Sequence, residues 1–219
     1  ELMDEPGINR VTVEEVTEGT PPDKYHRFLS QNNAIWPHEK YLNIWLMSET
    51  KYPKFWNSIT KLCVPKYRLG SETLPGLSLP PVPSTWVPKV EQIGILFRMS
   101  TFQYFQRSID ATAERELVTC IGNYLGLLDT WKINNSNVND QCNDTFAYGI
   151  VNNNGSLGTN SSWSKEVGSY RFLSENIMDD PTGTHRSVSK DQALRMYWVL
   201  KNCAGRSMWQ SDFALTGKE

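Results

Sequence analysis

The chain has 219 residues, with 22 lysines and arginines against 24 aspartates and glutamates, and a formal net charge of −2 at pH 7. This length predicts one domain, or one domain with a minor lobe, and a core large enough to need no cross-links. A near-zero charge without a basic block excludes the electrostatic footprint of a nucleic-acid-binding protein. No apolar run approaches the roughly 18 residues that a membrane span needs, so we expect no transmembrane segment.

The first half of the chain predicts two buried strands. A short strand is expected over residues 10–16, and a helix over 23–34. Residues 41–47 (YLNIWLM) and 91–102 (EQIGILFRMSTF) are typical of buried central strands. Between them, five prolines over residues 74–88 predict an extended loop.

The second half predicts two helices separated by a long polar segment. Residues 111–126 form the strongest predicted helix, with an apolar stripe that consists of Leu117, Cys120, Ile121, Tyr124, Leu125 and Leu128. Residues 132–164, rich in Asn, Ser and Gly, predict mostly loop, which at this length is functional or marks an irregular subdomain. A final helix is expected over 190–202, begun by a capping box of Ser189 and Gln192. Its expected apolar face consists of Ala193, Met196, Tyr197 and Leu200.

The face of the central helix opposite its apolar stripe carries the polar residues of interest. Thr119 and Asn123 are spaced i, i+4 and therefore share one face. Gly126 can end the helix in a left-handed turn, which only glycine adopts at low cost. That turn would bring Asp129 back towards Thr119 and Asn123. Two groups on one helix face and a third beyond a glycine turn are the geometry of a helix-borne metal site.

The same segment resembles a known protease family. The sequence T-C-I-G-N-Y-L-G-L-L-D-T-W over residues 119–131 is similar to the metzincin zinc motif H-E-x-x-H-x-x-G-x-x-H, in the pappalysin-type form H-E-I-G-H-Y-L-G-L-L-H-T-W. Residues 174–179 (SENIMD) resemble the Met-turn of that family, with Met178 at its centre. Other matching stretches are 40–46 (KYLNIWL), 140–145 (DQCNDT) and 191–200 (DQALRMYWVL).

The resemblance covers most of residues 41–202, with a weaker match over 53–89, and it implies a fold and a location. Within the family, the sequence resembles the zinc-metalloproteinase-like lipoproteins of Bacteroidetes. The implied fold is α/β, with a mixed, mostly parallel sheet that carries the central helix, then an irregular C-terminal subdomain with the Met-turn and the final helix. The whole chain, 1–219, would be one domain, with an upper part over 1–129 and a lower part over 130–219.

The first residues of the chain predict that the sequence has been processed. The chain opens at Glu1 without an initiating Met, which predicts a processed or trimmed sequence with any export signal upstream. The segment before Tyr41 is short for the family, so N-terminal family elements are expected to be trimmed or missing. The resemblance implies an exported lipoprotein, periplasmic or at the cell surface, with its lipid anchor upstream.

All four chemical positions of the family motif differ in this sequence. The first zinc histidine corresponds to Thr119, the catalytic glutamate to Cys120, the second histidine to Asn123 and the third to Asp129. Threonine and asparagine are neutral, weak zinc ligands, and one carboxylate does not hold zinc. No metal-activated water and no proton acceptor are expected. We therefore expect no catalytic residue, no metal and no cofactor, and a pseudoprotease that binds a peptide, protein or glycan in the former cleft.

Several alternatives stay open at this point. The chain would be an active hydrolase if zinc had unorthodox ligands, or if Cys120 were a nucleophile paired with His185. Asp129, His185 and Cys120 are candidates for a new metal site, although the place of Cys120 on the apolar stripe favours a buried, inert thiol. Calcium is a further hypothesis, with its ligands from Asp140, Asp144 and the carbonyls near Thr145. A structural or adhesion module, and a chance amphipathic helix, are the remaining interpretations.

The cysteines and the glycosylation sequons indicate little about the function. The four cysteines, Cys63, Cys120, Cys142 and Cys203, include no C-x-x-C pair, and one or two disulfides stay open. Four N-x-S/T sequons begin at Asn134, Asn143, Asn154 and Asn160, and they matter only in a eukaryotic secreted protein.

Overall fold

The computed structural model describes residues 29–31, 34–38, 40–47, 61–64, 93–98, 112–133, 138–150, 164–167, 169–180, 184–202 and 206. Within these ranges the protein is a mixture of helices and strands, with three small sheets. The strand predicted over 10–16 and the loop predicted over 74–88 lie outside the described residues, as does the helix predicted over 23–34 apart from its described part, where residues 29–31 are helical. No helix of the described ranges is long and apolar enough to span a membrane.

The first sheet consists of three strands in the order β1-β3-β2. These are β1 (Ile44–Met47), β2 (Lys61–Val64) and β3 (Gly94–Arg98). Strands β1 and β3 are parallel, with Ile44 opposite Ile95, whereas β2 is antiparallel to β3. The sheet is therefore mixed, and the predicted strands at 41–47 and 91–102 form its parallel pair.

Gly94 lets β1 and β3 approach each other closely. A Cβ atom at this position would lie 2.5 Å from the Trp45 ring and 2.7 Å from the Asn43 carbonyl oxygen. The Trp45 indole in turn donates a hydrogen bond to the Ala34 carbonyl at 3.1 Å. Glycine is needed here because the neighbouring ring and backbone occupy the space of a side chain.

The central helix, α1, spans Thr112–Tyr124 and packs on this sheet. Its apolar stripe packs in two clusters, one of Cys120 with Ile95 of β3 and one of Tyr124 with Ile93, the residue before β3, and all four residues are at most 1% exposed. Burial of this stripe fixes the rotation of α1 and so determines where its polar residues lie.

The described residues after α1 include four short strands. They are β4 (Trp131–Ile133), β5 (Tyr148–Ile150), β6 (Ser164–Val167) and β7 (Tyr170–Leu173). Strands β4 and β5 pair in parallel, and β6 and β7 form an antiparallel pair. The prediction of mostly loop over 132–164 therefore misses β4 and β5. Three-residue strands pair through contacts distant in sequence, and their polar surroundings carry no periodic pattern.

The final helix, α2, spans Lys190–Asn202. The predicted capping box is confirmed, because Ser189 N donates to Gln192 Oε1 at 3.0 Å and Gln192 N donates to Ser189 Oγ at 3.2 Å. The predicted apolar face is wrong: Ala193 and Tyr197 are exposed. The buried face consists of Gln192, Arg195 and Val199.

Polar partners explain the orientation of α2. Arg195 donates to the Gln141 carbonyl at 2.6 Å, and Gln192 exchanges two hydrogen bonds with Asn176. These bonds satisfy the Gln192 amide and one of the two terminal nitrogens of Arg195, which favours the burial of this polar face over that of Tyr197.

Candidate functional site

The end of helix α1 brings together three of the residues that the sequence singled out. Gly126 adopts a left-handed conformation with φ of 87°, directly after the last helical turn. Leu127 N donates to the Gly122 carbonyl at 2.9 Å, and Gly126 N donates to the Asn123 carbonyl at 3.0 Å. The chain turns back, and Asn123 Nδ2 donates to Asp129 Oδ1 at 3.3 Å. The glycine turn thus returns Asp129 to the helix face, as the spacing predicts.

A tight turn at residues 176–179 lies against this helix end. Asp179 N donates to the Asn176 carbonyl at 3.0 Å, and Met178 N donates to Asn176 Oδ1 at 2.9 Å. Asn176 is itself held by Gln192 through bonds of 2.7 and 3.0 Å. The capping residue of α2 therefore also orients the turn.

Met178 occupies the centre of this contact and is 0% exposed. Its Sδ atom lies 3.9 Å from Asn123 Nδ2. A Cβ atom on Gly122 would lie 2.5 Å from the same sulfur. Gly122, which the sequence analysis did not single out, is thus the residue that lets Met178 approach α1.

Thr119, one turn earlier on α1, bonds to two different segments. Its hydroxyl donates to the Ile177 carbonyl at 2.9 Å, and the same oxygen lies 3.3 Å from His185 Nδ1. His185 Nε2 lies 2.8 Å from the Asp180 carbonyl oxygen, which can only accept a hydrogen bond, so Nε2 carries a hydrogen. His185 has a positive φ of 51°.

The polar face of α1 is closed in this structure. Thr119 and Asn123 are each 6% exposed, and His185 is 8% exposed. Asp129 is half-buried. The turn at 176–179 contacts both side chains, and His185 contacts Thr119.

Cys120 lies in the apolar cluster with Ile95 and is 1% exposed. It has no disulfide. Its burial agrees with its place on the apolar stripe. His185, its hypothetical partner in a catalytic pair, hydrogen-bonds to Thr119 and to the Asp180 carbonyl.

A buried ion pair lies directly behind the turn, and the sequence analysis missed it. Lys165 Nζ contacts Asp180 Oδ1 at 3.0 Å and Oδ2 at 2.8 Å, and Tyr148 donates its hydroxyl to Asp180 Oδ2 at 2.8 Å. Burial, followed by the charges of Asp179 and Asp180, raises the pKa of Tyr148 well above its usual range. The neutral phenol therefore stays a hydrogen-bond donor to Asp180.

In the loop proposed for calcium, the Asp140 carboxylate accepts a hydrogen bond from a hydroxyl of the same loop, and the Asp144 carboxylate accepts one from the first turn of α2. Asp140 Oδ2 accepts from the Thr145 hydroxyl at 2.6 Å, and Asp144 Oδ2 accepts from Asp191 N at 2.9 Å. Burial, with the Asp140 charge next, raises the pKa of Cys142 to about 11. Within the described ranges no group of three or more His, Cys, Asp and Glu residues is arranged to hold a metal ion.

Comparisons with known proteins identify no relative of this chain. No protein-family model, no curated protein and no solved structure matches this chain. The metzincin resemblance accordingly rests on the sequence motifs, and the class that the structure shows is mixed helix and strand.

Proposed function

We propose that this chain is a metzincin-like pseudoprotease that binds no zinc and no longer cleaves peptides. It is exported to the periplasm or cell surface, is lipid-anchored upstream, and uses the region of the former cleft to bind a peptide, protein or glycan. One observation supports the proposal: the side chains at the three motif positions bond to protein partners, Thr119 to the Ile177 carbonyl and Asn123 to Asp129.

The chemistry of these groups argues against zinc. Zinc selects imidazole, thiolate and carboxylate ligands, whereas Thr119 offers a neutral hydroxyl and Asn123 directs its amide N–H at Asp129. Asp129 is the single carboxylate among the three motif positions, and it already accepts that N–H. Hydrogen bonds to protein groups thus engage the three side chains that the resemblance aligns with metal ligands.

The proton acceptor of the family is also replaced. Cys120 corresponds to the catalytic glutamate, and it packs against Ile95 with 1% exposure. A general base must reach the water that it activates, and a thiol in an apolar cluster does not. Loss of the base and loss of the metal are independent, and either one abolishes metal-dependent hydrolysis.

Elemental analysis tests the proposal directly. Protein purified without chelator, and again after incubation with excess zinc followed by desalting, is expected to carry far less than one zinc per chain. Casein incubated with the zinc-treated protein should stay intact. About one zinc per chain, retained after desalting, would overturn the proposal, as would cleavage that a chelator stops.

A further inference from the structure

The inference starts from the buried contact between Lys165 of β6 and Asp180, the residue after the 176–179 turn. Lys165 is 5% exposed and Asp180 is 1% exposed. Lys165 Nζ lies 3.0 Å from Oδ1 and 2.8 Å from Oδ2 of Asp180. Because Cγ is bonded to both oxygens, these two contacts hold Nζ within about 3.3 Å of Cγ, inside the roughly 3–3.5 Å separation of a near-attack contact. A side-chain nitrogen and a carboxyl carbon thus lie at reacting distance.

An aromatic cluster lies against this pair. Tyr148 is 2% exposed and donates its hydroxyl to Asp180 Oδ2 at 2.8 Å. The Phe172 ring centroid lies 5.1 Å from that of Tyr148 and 4.8 Å from that of Phe146. Two full charges held away from water carry a large desolvation penalty, whereas a neutral amide in the same place carries neither charge. The environment therefore favours a neutral, condensed form of the pair.

Hydrogen bonds outside the pair hold the backbone around Asp180. His185 Nε2 donates to the Asp180 carbonyl oxygen at 2.8 Å. The preceding side chain, Asp179, accepts from the Ser174 hydroxyl at 3.0 Å and from the Thr130 hydroxyl. The Asp180 carboxyl group is therefore preorganised against Lys165, and such preorganisation lowers the entropic part of a reaction barrier.

We propose that Lys165 and Asp180 form a covalent intramolecular amide, between Nζ and Cγ, in the folded protein. The amide replaces the ion pair, needs no second molecule and releases one water. It joins β6 to the residue after the 176–179 turn. This self-modification lies outside the proposed binding function and does not depend on it.

The step balances in protons and electrons. Lys165 Nζ gives one hydrogen to Asp180 Oδ1 across their 3.0 Å contact, which leaves a neutral amine and a neutral carboxylic acid. The electron pair of Nζ forms the bond to Cγ, and the π electrons of the Cγ–Oδ2 bond move to Oδ2. That pair then returns, the Cγ–Oδ1 bond breaks, and a second hydrogen from Nζ leaves with Oδ1 as water. The product is a secondary amide, and nothing is oxidised or reduced.

Tyr148 acts directly on the reacting group. Its hydroxyl hydrogen points at Asp180 Oδ2, the oxygen on which negative charge develops in the tetrahedral intermediate. Burial, followed by the charges of Asp179 and Asp180, raises the pKa of Tyr148, so the phenol keeps this hydrogen. After the reaction the same hydroxyl donates to the amide carbonyl, so its hydrogen bond exists before and after the step.

Mass spectrometry of the intact, reduced and denatured chain is the direct test. Wild type is expected to be lighter than its sequence mass by one water molecule. Lys165→Arg should have its full sequence mass, because a guanidinium stays protonated and offers no free electron pair. Lys132→Arg, at an exposed lysine of β4, is the matched control and should keep the deficit. A wild-type chain at full sequence mass, both freshly purified and after a day at neutral pH, overturns the proposal.

Tandem mass spectrometry of a tryptic digest locates the lost water. An amide at Lys165 blocks trypsin there, and cleavage at Arg171 should leave two peptides joined through Lys165 and Asp180. Loss of water at another position, such as cyclisation of Glu1, with Lys165 cleaved normally, contradicts the proposal.

Tyr148→Phe tests the role of the phenol. The variant keeps the aromatic ring but lacks the hydroxyl, so it should form the link about 100-fold more slowly. The linked fraction of the freshly purified variant should therefore lie well below that of wild type. Equal fractions would overturn the assignment of Tyr148 to this step.

Discussion

At the scale of single residues, close approach and burial decide what each side chain can do. Gly122 admits Met178 to the surface of α1, since any Cβ atom there would meet the sulfur at 2.5 Å. Thr119 and Cys120 are neighbours in sequence, yet the first belongs to a polar cluster and the second to an apolar one. Adjacent helical positions point about 100° apart, so one helix supplies both the core and the polar site.

Cys120 should react slowly with alkylating reagents in the native protein. Its thiol is 1% exposed and packs with Ile95, so both access and thiolate formation are disfavoured. We expect the peptide that contains Cys120 to be labelled rapidly after denaturation but slowly before it, as followed by mass spectrometry.

Cys142 is the internal control for that measurement. It is half-buried, and burial raises its pKa to about 11, so its native labelling should accelerate as the pH rises towards that value. Rapid labelling of native Cys120 at neutral pH would instead indicate an accessible, low-pKa thiolate and favour a cysteine hydrolase.

At the scale of elements, the helix α1, the Gly126 turn and the 176–179 turn position the three motif residues. Asn123 contacts both Asp129 and the Met178 sulfur, while Thr119 contacts the Ile177 carbonyl. The two turns therefore act as one unit around the end of the helix. This arrangement predicts that histidines at the three motif positions would converge.

The combined variant Thr119→His, Asn123→His and Asp129→His should bind zinc. Three imidazoles directed to one point at about 2.0–2.1 Å form a zinc site. Zinc titration should raise the melting temperature of this variant by several degrees. Because Thr119 and Asn123 are each 6% exposed, the metal-free variant should be less stable than wild type, with overpacking costs of about 1–3 kcal/mol per site.

The control for zinc binding keeps the two helix substitutions and replaces Asp129→His by Asp129→Asn. Two histidines alone should bind zinc far more weakly. Adding Cys120→Glu to the triple variant restores the carboxylate but places it in the cluster with Ile95, so zinc should return more readily than activity. A folded triple variant without a zinc-dependent rise in melting temperature would contradict the metzincin interpretation of residues 119–129.

At the scale of the whole molecule, buried polar contacts join segments that lie far apart in sequence. Lys165 of β6 and Tyr148 of β5 both bond to Asp180, next to the turn. An aromatic cluster strengthens the same junction, with the Phe146 and Phe172 ring centroids 4.8 Å apart and those of Tyr148 and Phe172 5.1 Å apart. Contacts between side chains therefore stabilise the lower part of the described structure more than the pairing of its three- and four-residue strands does.

Lys165→Met should be strongly destabilising. The variant leaves the Asp180 carboxylate buried without its ammonium partner, and breaking a buried pair in this way costs about 3–5 kcal/mol. Chemical denaturation should show a lower midpoint than wild type. Lys132→Met, at an exposed lysine of β4, is the matched control and should change stability by less than about 0.5 kcal/mol.

A double variant separates charge from packing. Lys165→Met with Asp180→Asn removes both charges and keeps the Tyr148 contact, so it should recover a substantial part of the lost stability. If Lys165→Met behaves like Lys132→Met, the pair does not hold the lower part of the molecule.

The sequence by itself determined the features that depend on near neighbours. The stripe of α1 follows from i, i+3, i+4 spacing, and the left-handed Gly126 and the Ser189–Gln192 capping box follow from residue type at a helix end. The parallel strands at 44–47 and 94–98 contain the apolar runs IWLM and ILF. Each of these features is decided within a few residues, where backbone conformation and side-chain pattern are directly linked.

Only the tertiary structure decided the features that depend on distant partners. The buried face of α2 is set by Asn176 and by the Gln141 carbonyl, and the polar face of α1 is covered by residues more than fifty positions away. Strands β4 and β5 exist only because they pair with each other. The free energy of such contacts arises when both partners are present and desolvated together, and a local pattern contains one partner at most.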